Sequence, residues 1–152
     1  MTYRSAVTPG SRRSVLSGAI VAGLLLPLAA CSTTTTCVDW VSYATPQDAY
    51  DDADLVVLGT PGPVTGGADM FGLRVPVHGF DVEDVLKGTS PADLSVAQAP
   101  VTCSAEGGED ALADGGRVVL FLVRESGVYR TLTPSTGILP LDEGEPLPFS
   151  RD

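Results

Sequence analysis

The chain has 152 residues, with 9 basic against 19 acidic, a formal net charge of −10. Residues 1–30 contain Arg4, Arg12 and Arg13 and no acidic residue, so removing them takes away three positive charges and leaves a net of −13. What remains is enough for one small domain, and its charge argues against nucleic acid or anionic headgroups as partners while attracting a basic partner or cations.

The first 30 residues read as a cleaved signal peptide. A basic start precedes an apolar run, Val15 to Ala30, which is interrupted by Ser17, Gly18, Gly23 and Pro27. A retained membrane helix needs about 20 apolar residues, more than this broken run supplies. The sequence Leu28-Ala29-Ala30-Cys31 at its end resembles the lipobox of bacterial lipoproteins. In that motif small residues suit a narrow peptidase site, and the cysteine thiol receives a diacylglyceryl group. The resemblance implies lipid on Cys31, attachment to the outer face of a membrane, and an extracytoplasmic domain. Ser11-Arg12-Arg13-Ser14-Val15-Leu16 is similar to the twin-arginine export motif, and Arg12 and Arg13 are its candidate residues.

The chain has three cysteines. With Cys31 used for lipid, Cys37 and Cys103 remain, and in an oxidising compartment they read as a disulfide. Residues 31–36 form a lipidated tether with four consecutive threonines, read as a plain polar linker. Six residues reach about 20 Å at most, so the domain sits close to its anchor. Trp40 and Tyr43 follow, either as membrane-interface anchors or, on the preferred reading, as a cap on the domain.

Thr45-Pro46-Gln47-Asp48 predicts a helix start, with Thr45 as cap, Pro46 at the first position and Asp48 reaching back to free backbone donors. The helix should be short, Pro46 to Asp52. Asp54 to Thr60 is apolar and β-branched, a strand ended by Pro61, Gly62 and Pro63. From Gly72 to Leu86 a second strand changes apolar parity between Val77 and Phe80. A bulge at His78-Gly79 would account for this, with Gly79 in crowded or positive-φ geometry and Val75, Val77, Phe80 and Val82 all facing inward. Leu94 to Ala99 is a third strand. Arg117 to Val123 is apolar on both faces and therefore central. Ser126-Gly127 turns it into a fifth, Val128 to Thr133. Residues 139–152, acidic and Pro-rich, read as an extended tail touching the domain through Ile138, Leu139 and Leu141.

Five strands and one helix give an all-β fold class, and a closed barrel would best hide the strand edges. Taken together, several segments resemble the netrin-like domain family, which includes the tissue inhibitors of metalloproteinases. They are Cys37 followed by a short helix, Ala53 to Gly59, Phe80-Asp81-Val82-Glu83-Asp84-Val85-Leu86-Lys87-Gly88, Cys103, and Gly115 to Phe121. The resemblance implies a five-stranded OB-type barrel over residues 37–138 and a bond between Cys37 and Cys103. It does not carry over the inhibitors' zinc-binding N-terminal amine, because six residues of the mature chain precede Cys37.

No catalytic set is legible. The single histidine, His78, stands in a strand without a nucleophile and reads as a surface or packing residue. No zinc-ligand cluster or cofactor motif is present in the sequence, and neither is assigned. The acidic groups Asp51-Asp52-Asp54, Asp81-Glu83-Asp84 and Glu106-Glu109-Asp110 lack EF-hand spacing, and the Glu106–Gly116 loop lacks the lysine of a phosphate cradle. The expected function is a membrane-anchored, non-enzymatic binding module for a protein or envelope component. The alternative is a regulator or inhibitor of an extracytoplasmic protease. Oligomeric state and ligand are not legible.

Overall fold

The computed structural model describes residues 37–103 and 108–151. Arg12, Arg13, the cleavage site, Cys31, the tether and Glu106 lie outside them. In chain order the elements are α1 (Pro46–Asp52), β1 (Leu55–Met70), β2 (Leu73–Lys87), β3 (Ser95–Ala97), β4 (Val118–Glu125), β5 (Val128–Thr131) and β6 (Ile138–Pro140). No helix among the described residues is long and apolar enough to cross a membrane.

Helix α1 starts where its chemistry puts it. The Thr45 hydroxyl accepts from the Asp48 amide, and the Asp48 carboxylate accepts from the Thr45 amide at 2.9 Å, closing a capping box ahead of Pro46. The helix is too short to be stable alone, so its buried Ala49 and Tyr50 hold it on the domain.

The structure is β-rich, and its first five strands pair in a closed ring. Antiparallel pairings join β1 to β2, β2 to β3, β4 to β5 and β4 back to β1, and β3 runs parallel to β5. β4 is central, as its apolar run predicted. One edge pairs with β1, and the other takes β5 and then β6. Both reversals into the hairpins use two residues at positive φ, Phe71 (53°) with Gly72 (83°) and Ser126 (51°) with Gly127 (88°). Such turns match the twist of the strands they join.

Two expectations are corrected. The first strand does not stop at Pro61-Gly62-Pro63 but runs through it to Met70. The register slips between Pro61 and Val64 and again between Val64 and Gly66, each time leaving one extra β1 residue unpaired. A proline has no amide to donate, and in a bulge none is asked of it. The bulge expected on β2 at His78-Gly79 therefore lies on the opposing strand. Gly79 is neither crowded nor at positive φ, since a Cβ there would meet only the Thr65 methyl at 3.5 Å. The parity change is real nonetheless. Val75, His78 and Phe80 are buried, while Val77 and Val82 are partly buried in different clusters. The slips between Val56 and Val57 and between Leu58 and Gly59 leave the extra residue on β2.

Because β1 and β4 are buried on both faces, they divide two apolar clusters. Leu55, Val57, Phe80, Leu94, Val96, Leu112, Val118, Leu120 and Leu122 form one. Val56, Leu58, Val119 and Phe121 face the other, which Tyr50 of α1 covers. The C-terminal segment joins this second cluster. Leu141 is buried, and the Phe149 ring stacks on Tyr50 at 5.0 Å and meets Phe121 edge-on at 5.6 Å. The sequence offers β6 no strand signal beyond three residues, and β4 recruits it through the free edge that β5 leaves.

Candidate functional site

Cys37 and Cys103 form a disulfide, with Cα atoms 5.4 Å apart. Beside it the Val38 amide donates to the Thr102 hydroxyl at 2.8 Å. Residues 37–41 and 100–103 are thereby locked side by side as a ridge. Trp40 fastens the ridge to the strands beneath. Its indole N–H donates to the Pro100 carbonyl at 3.1 Å, its ring meets Phe71 at the β1–β2 turn edge-on at 5.4 Å, and the Arg130 guanidinium lies 5.1 Å from its centroid. Arg130 is held in that pose by Glu125 and by the carbonyls of Thr131 and Leu132. A desolvated cation over an indole contributes about 1–2 kcal/mol. Phe71 occupies the left-handed region, unusual for a bulky residue, and Trp40 packs against it there. Trp40 is thus a cap on the strands, and Tyr43 packs against the second apolar cluster.

Two side chains of the ridge remain without apolar cover. Val41 is 63% exposed and Val101 37%. They stand on the two segments that the disulfide ties together.

The acidic groups mostly serve structure. Asp54 accepts from the Arg124 amide at 3.1 Å, Glu83 pairs with Arg117 at 2.8 Å, and Asp84 pairs with Arg151 at 2.8 Å. Among the described residues, no three His, Cys, Asp or Glu side chains gather as a metal site would need.

Of the two readings given to His78, surface or packing, the structure has the second. The side chain is 3% exposed, with Nδ1 2.9 Å from the Gly62 carbonyl and Nε2 2.8 Å from Asp110 Oδ2. Burial alone would lower its pKa, but the Gly62 carbonyl and the Asp110 carboxylate together raise it above the ordinary 6.5. Asp110 lies 32 residues away in a loop, with no local sequence signal for the contact.

No family model, curated protein or solved structure matches this chain. The ridge and the buried pair are therefore interpreted from their own geometry.

Proposed function

We propose that the protein is a lipid-anchored, extracytoplasmic binding module whose strand ring is an OB-type barrel of the netrin-like kind. The observation that carries the binding reading is the exposure of Val41 and Val101 on the two segments that the Cys37–Cys103 bond joins. A rigid surface binds without an ordering cost, and two exposed valines on it are an anchor for a partner's apolar side chain. The strand order β1-β2-β3-β5-β4, closing on β1 with β3 parallel to β5, supports the OB-type reading. The lipobox-like Leu28 to Cys31 supports the anchor, and Cys37, where the ridge begins, follows Cys31 by six positions in the chain. The partner is a protein or envelope component near that surface, and the acidic charge of the domain favours a basic one.

Replacing Val41 and Val101 together by Asp should leave the strand ring folded, because Val41 is exposed and Val101 partly so and neither belongs to its apolar clusters. Each buried valine contributes about 1 kcal/mol or more at an interface, so capture of the partner from crosslinked envelopes should fall at least about tenfold. A double variant that captures the same proteins as wild type removes the ridge from the proposal. A screen of wild type against extracytoplasmic proteases separates passive binding from protease regulation.

The anchor has its own test. Cys31→Ala should release the protein from membranes or leave it as uncleaved precursor. An intact mass of the wild-type mature protein without lipid would contradict the anchoring.

A further inference from the structure

We infer that His78 and Asp110 form a proton-operated latch that holds the Asp110–Asp114 segment, and Leu112 with it, against the apolar cluster inside the strand ring. The argument begins with what each atom can do. Nδ1 of His78 faces a backbone carbonyl, and Nε2 faces a carboxylate oxygen. A carbonyl only accepts, and so does an ionised carboxylate. A neutral imidazole has a single N–H and can satisfy one of the two. Both contacts are made together only when the pair holds one proton more than neutral His78 with ionised Asp110 would carry. The ring itself is buried, so its two nitrogens depend on these two partners.

The groups around the ring leave Asp110 as its charged neighbour. β1 presents the Gly62 carbonyl and pairs with β2 through Val64, and β3 presents Val96 directly opposite. None of these titrates. Arg74 and Glu109 line an adjoining cavity of about 190 Å³ together with Val75, Pro100 and Val101, and neither bonds to the ring.

Asp110 transmits the state of the ring to its segment. Its Oδ1 accepts from the Leu112 amide at 3.2 Å, and its carbonyl accepts from the Ala113 amide at 3.0 Å. Nearby, the Ala111 amide donates to the Gln98 side chain at 2.7 Å. These bonds shape the turn that puts Leu112, 1% exposed, among Leu55, Phe80, Val96 and Leu120. When the pair loses that extra proton the ring keeps a single N–H. The one on Nε2, facing the carboxylate, is the better held, so Nδ1 is left as a lone pair against the Gly62 carbonyl and the attraction to Asp110 loses the ring's positive charge. The hold on the turn then weakens, and the Asp110–Asp114 segment, with Leu112, opens more readily.

The sign follows from the raised pKa. A group whose pKa is higher in the latched state contributes in full below its unlatched value near 6.5, and that contribution disappears as pH rises through the latched value. The latch is therefore tightest below the ordinary histidine range and loosens as pH rises above it, wherever the protein resides.

His78 is the only histidine of the chain, so its ring signals identify themselves in a protein carrying no histidine tag. Ring nitrogen NMR across pH should show both nitrogens protonated in mild acid and a midpoint above 6.5. Hydrogen-exchange protection of the Ala111, Leu112 and Ala113 amides, corrected for intrinsic rates, should fall about tenfold per unit by which the midpoint exceeds the unlatched value. In Asp110→Asn the midpoint should drop and protection become independent of pH. A wild-type midpoint at or below 6.5 overturns the latch, as does a raised midpoint with unchanging protection. If Asp110→Asn fails to fold, the two wild-type measurements still decide.

Discussion

Replacing Gly59 by Ala is expected to destabilise the domain by about 3 kcal/mol or more, a large share of the 5–15 kcal/mol typical of a small domain. Gly59 sits where β1 is paired on both edges, with Val82 on β2 and Val118 on β4. A Cβ built there would lie 2.1 Å from the Asp81 carbonyl oxygen and 2.8 Å from the Phe80 ring. The oxygen belongs to backbone held in the ladder, so nothing flexible can give way. The neighbouring control is Gly79→Ala, whose methyl meets only the Thr65 methyl at 3.5 Å and should cost no more than about 1 kcal/mol. Urea midpoints of the two variants should therefore differ widely. Equal midpoints would mean that β2 does not pass over Gly59 as closely as the structure has it.

Removing the disulfide by Cys37→Ser with Cys103→Ser should cost about 4 kcal/mol, within the 2–5 kcal/mol usual for small exported domains. The bond closes a span of 66 residues, and without it the unfolded chain regains that freedom. A local readout accompanies the global one, because Trp40 is the only tryptophan. In the disulfide-bonded protein its indole lies between Arg130, Phe71 and the Pro100 carbonyl. With residues 37–41 released from 100–103, the indole should become wetter and its emission shift to longer wavelength before global unfolding begins. A double variant with the wild-type emission maximum and urea midpoint would show that Trp40 and the hydrogen bonds between Val38 and Thr102 hold the ridge unaided.

The features legible in the sequence are those whose cause is local or compositional. Thr45, Pro46 and Asp48 carry the whole start of α1 within four residues. The doubly apolar run of β4 can only be central. Ser126-Gly127 admits few backbone paths other than a tight turn, and an odd cysteine count with one residue assigned to lipid leaves a single pair. What was not legible depends on distant partners. Pro61-Gly62-Pro63 looks like a strand end, yet β2 keeps pairing across it because bulges remove the need for a donor. The residues Ile138 to Pro140 become a strand only because β4 has an edge to fill beyond β5. Phe149 acquires meaning from Tyr50 and Phe121. His78 looks chemically idle in isolation, since its partners are a carbonyl 16 residues upstream and a carboxylate 32 residues downstream. The ridge lies between these cases. Its cysteines were readable, but the exposure of Val41 and Val101 follows only from how residues 37–41 and 100–103 are held on the domain.

Cys37 is also the point at which any pull from upstream enters the described domain. Without a cross-link, tension there would unzip the N-terminal segment one contact at a time, first Trp40, then α1, then β1. The bond to Cys103 forbids this, because the chain between the two cysteines cannot be drawn out while it stands. Load is shared instead with residues 100–103, and so with Ala99, whose amide donates to the buried Thr131 hydroxyl at 2.8 Å, and with β3 before it. β3 lies between β2 and β5 with ladder hydrogen bonds on both sides, so extension requires several of them to fail together. The disulfide thus ties the N-terminal end to a strand paired on both sides, and its reduction would change the resistance of the domain to a pull at Cys37 more than it changes the shape of the domain.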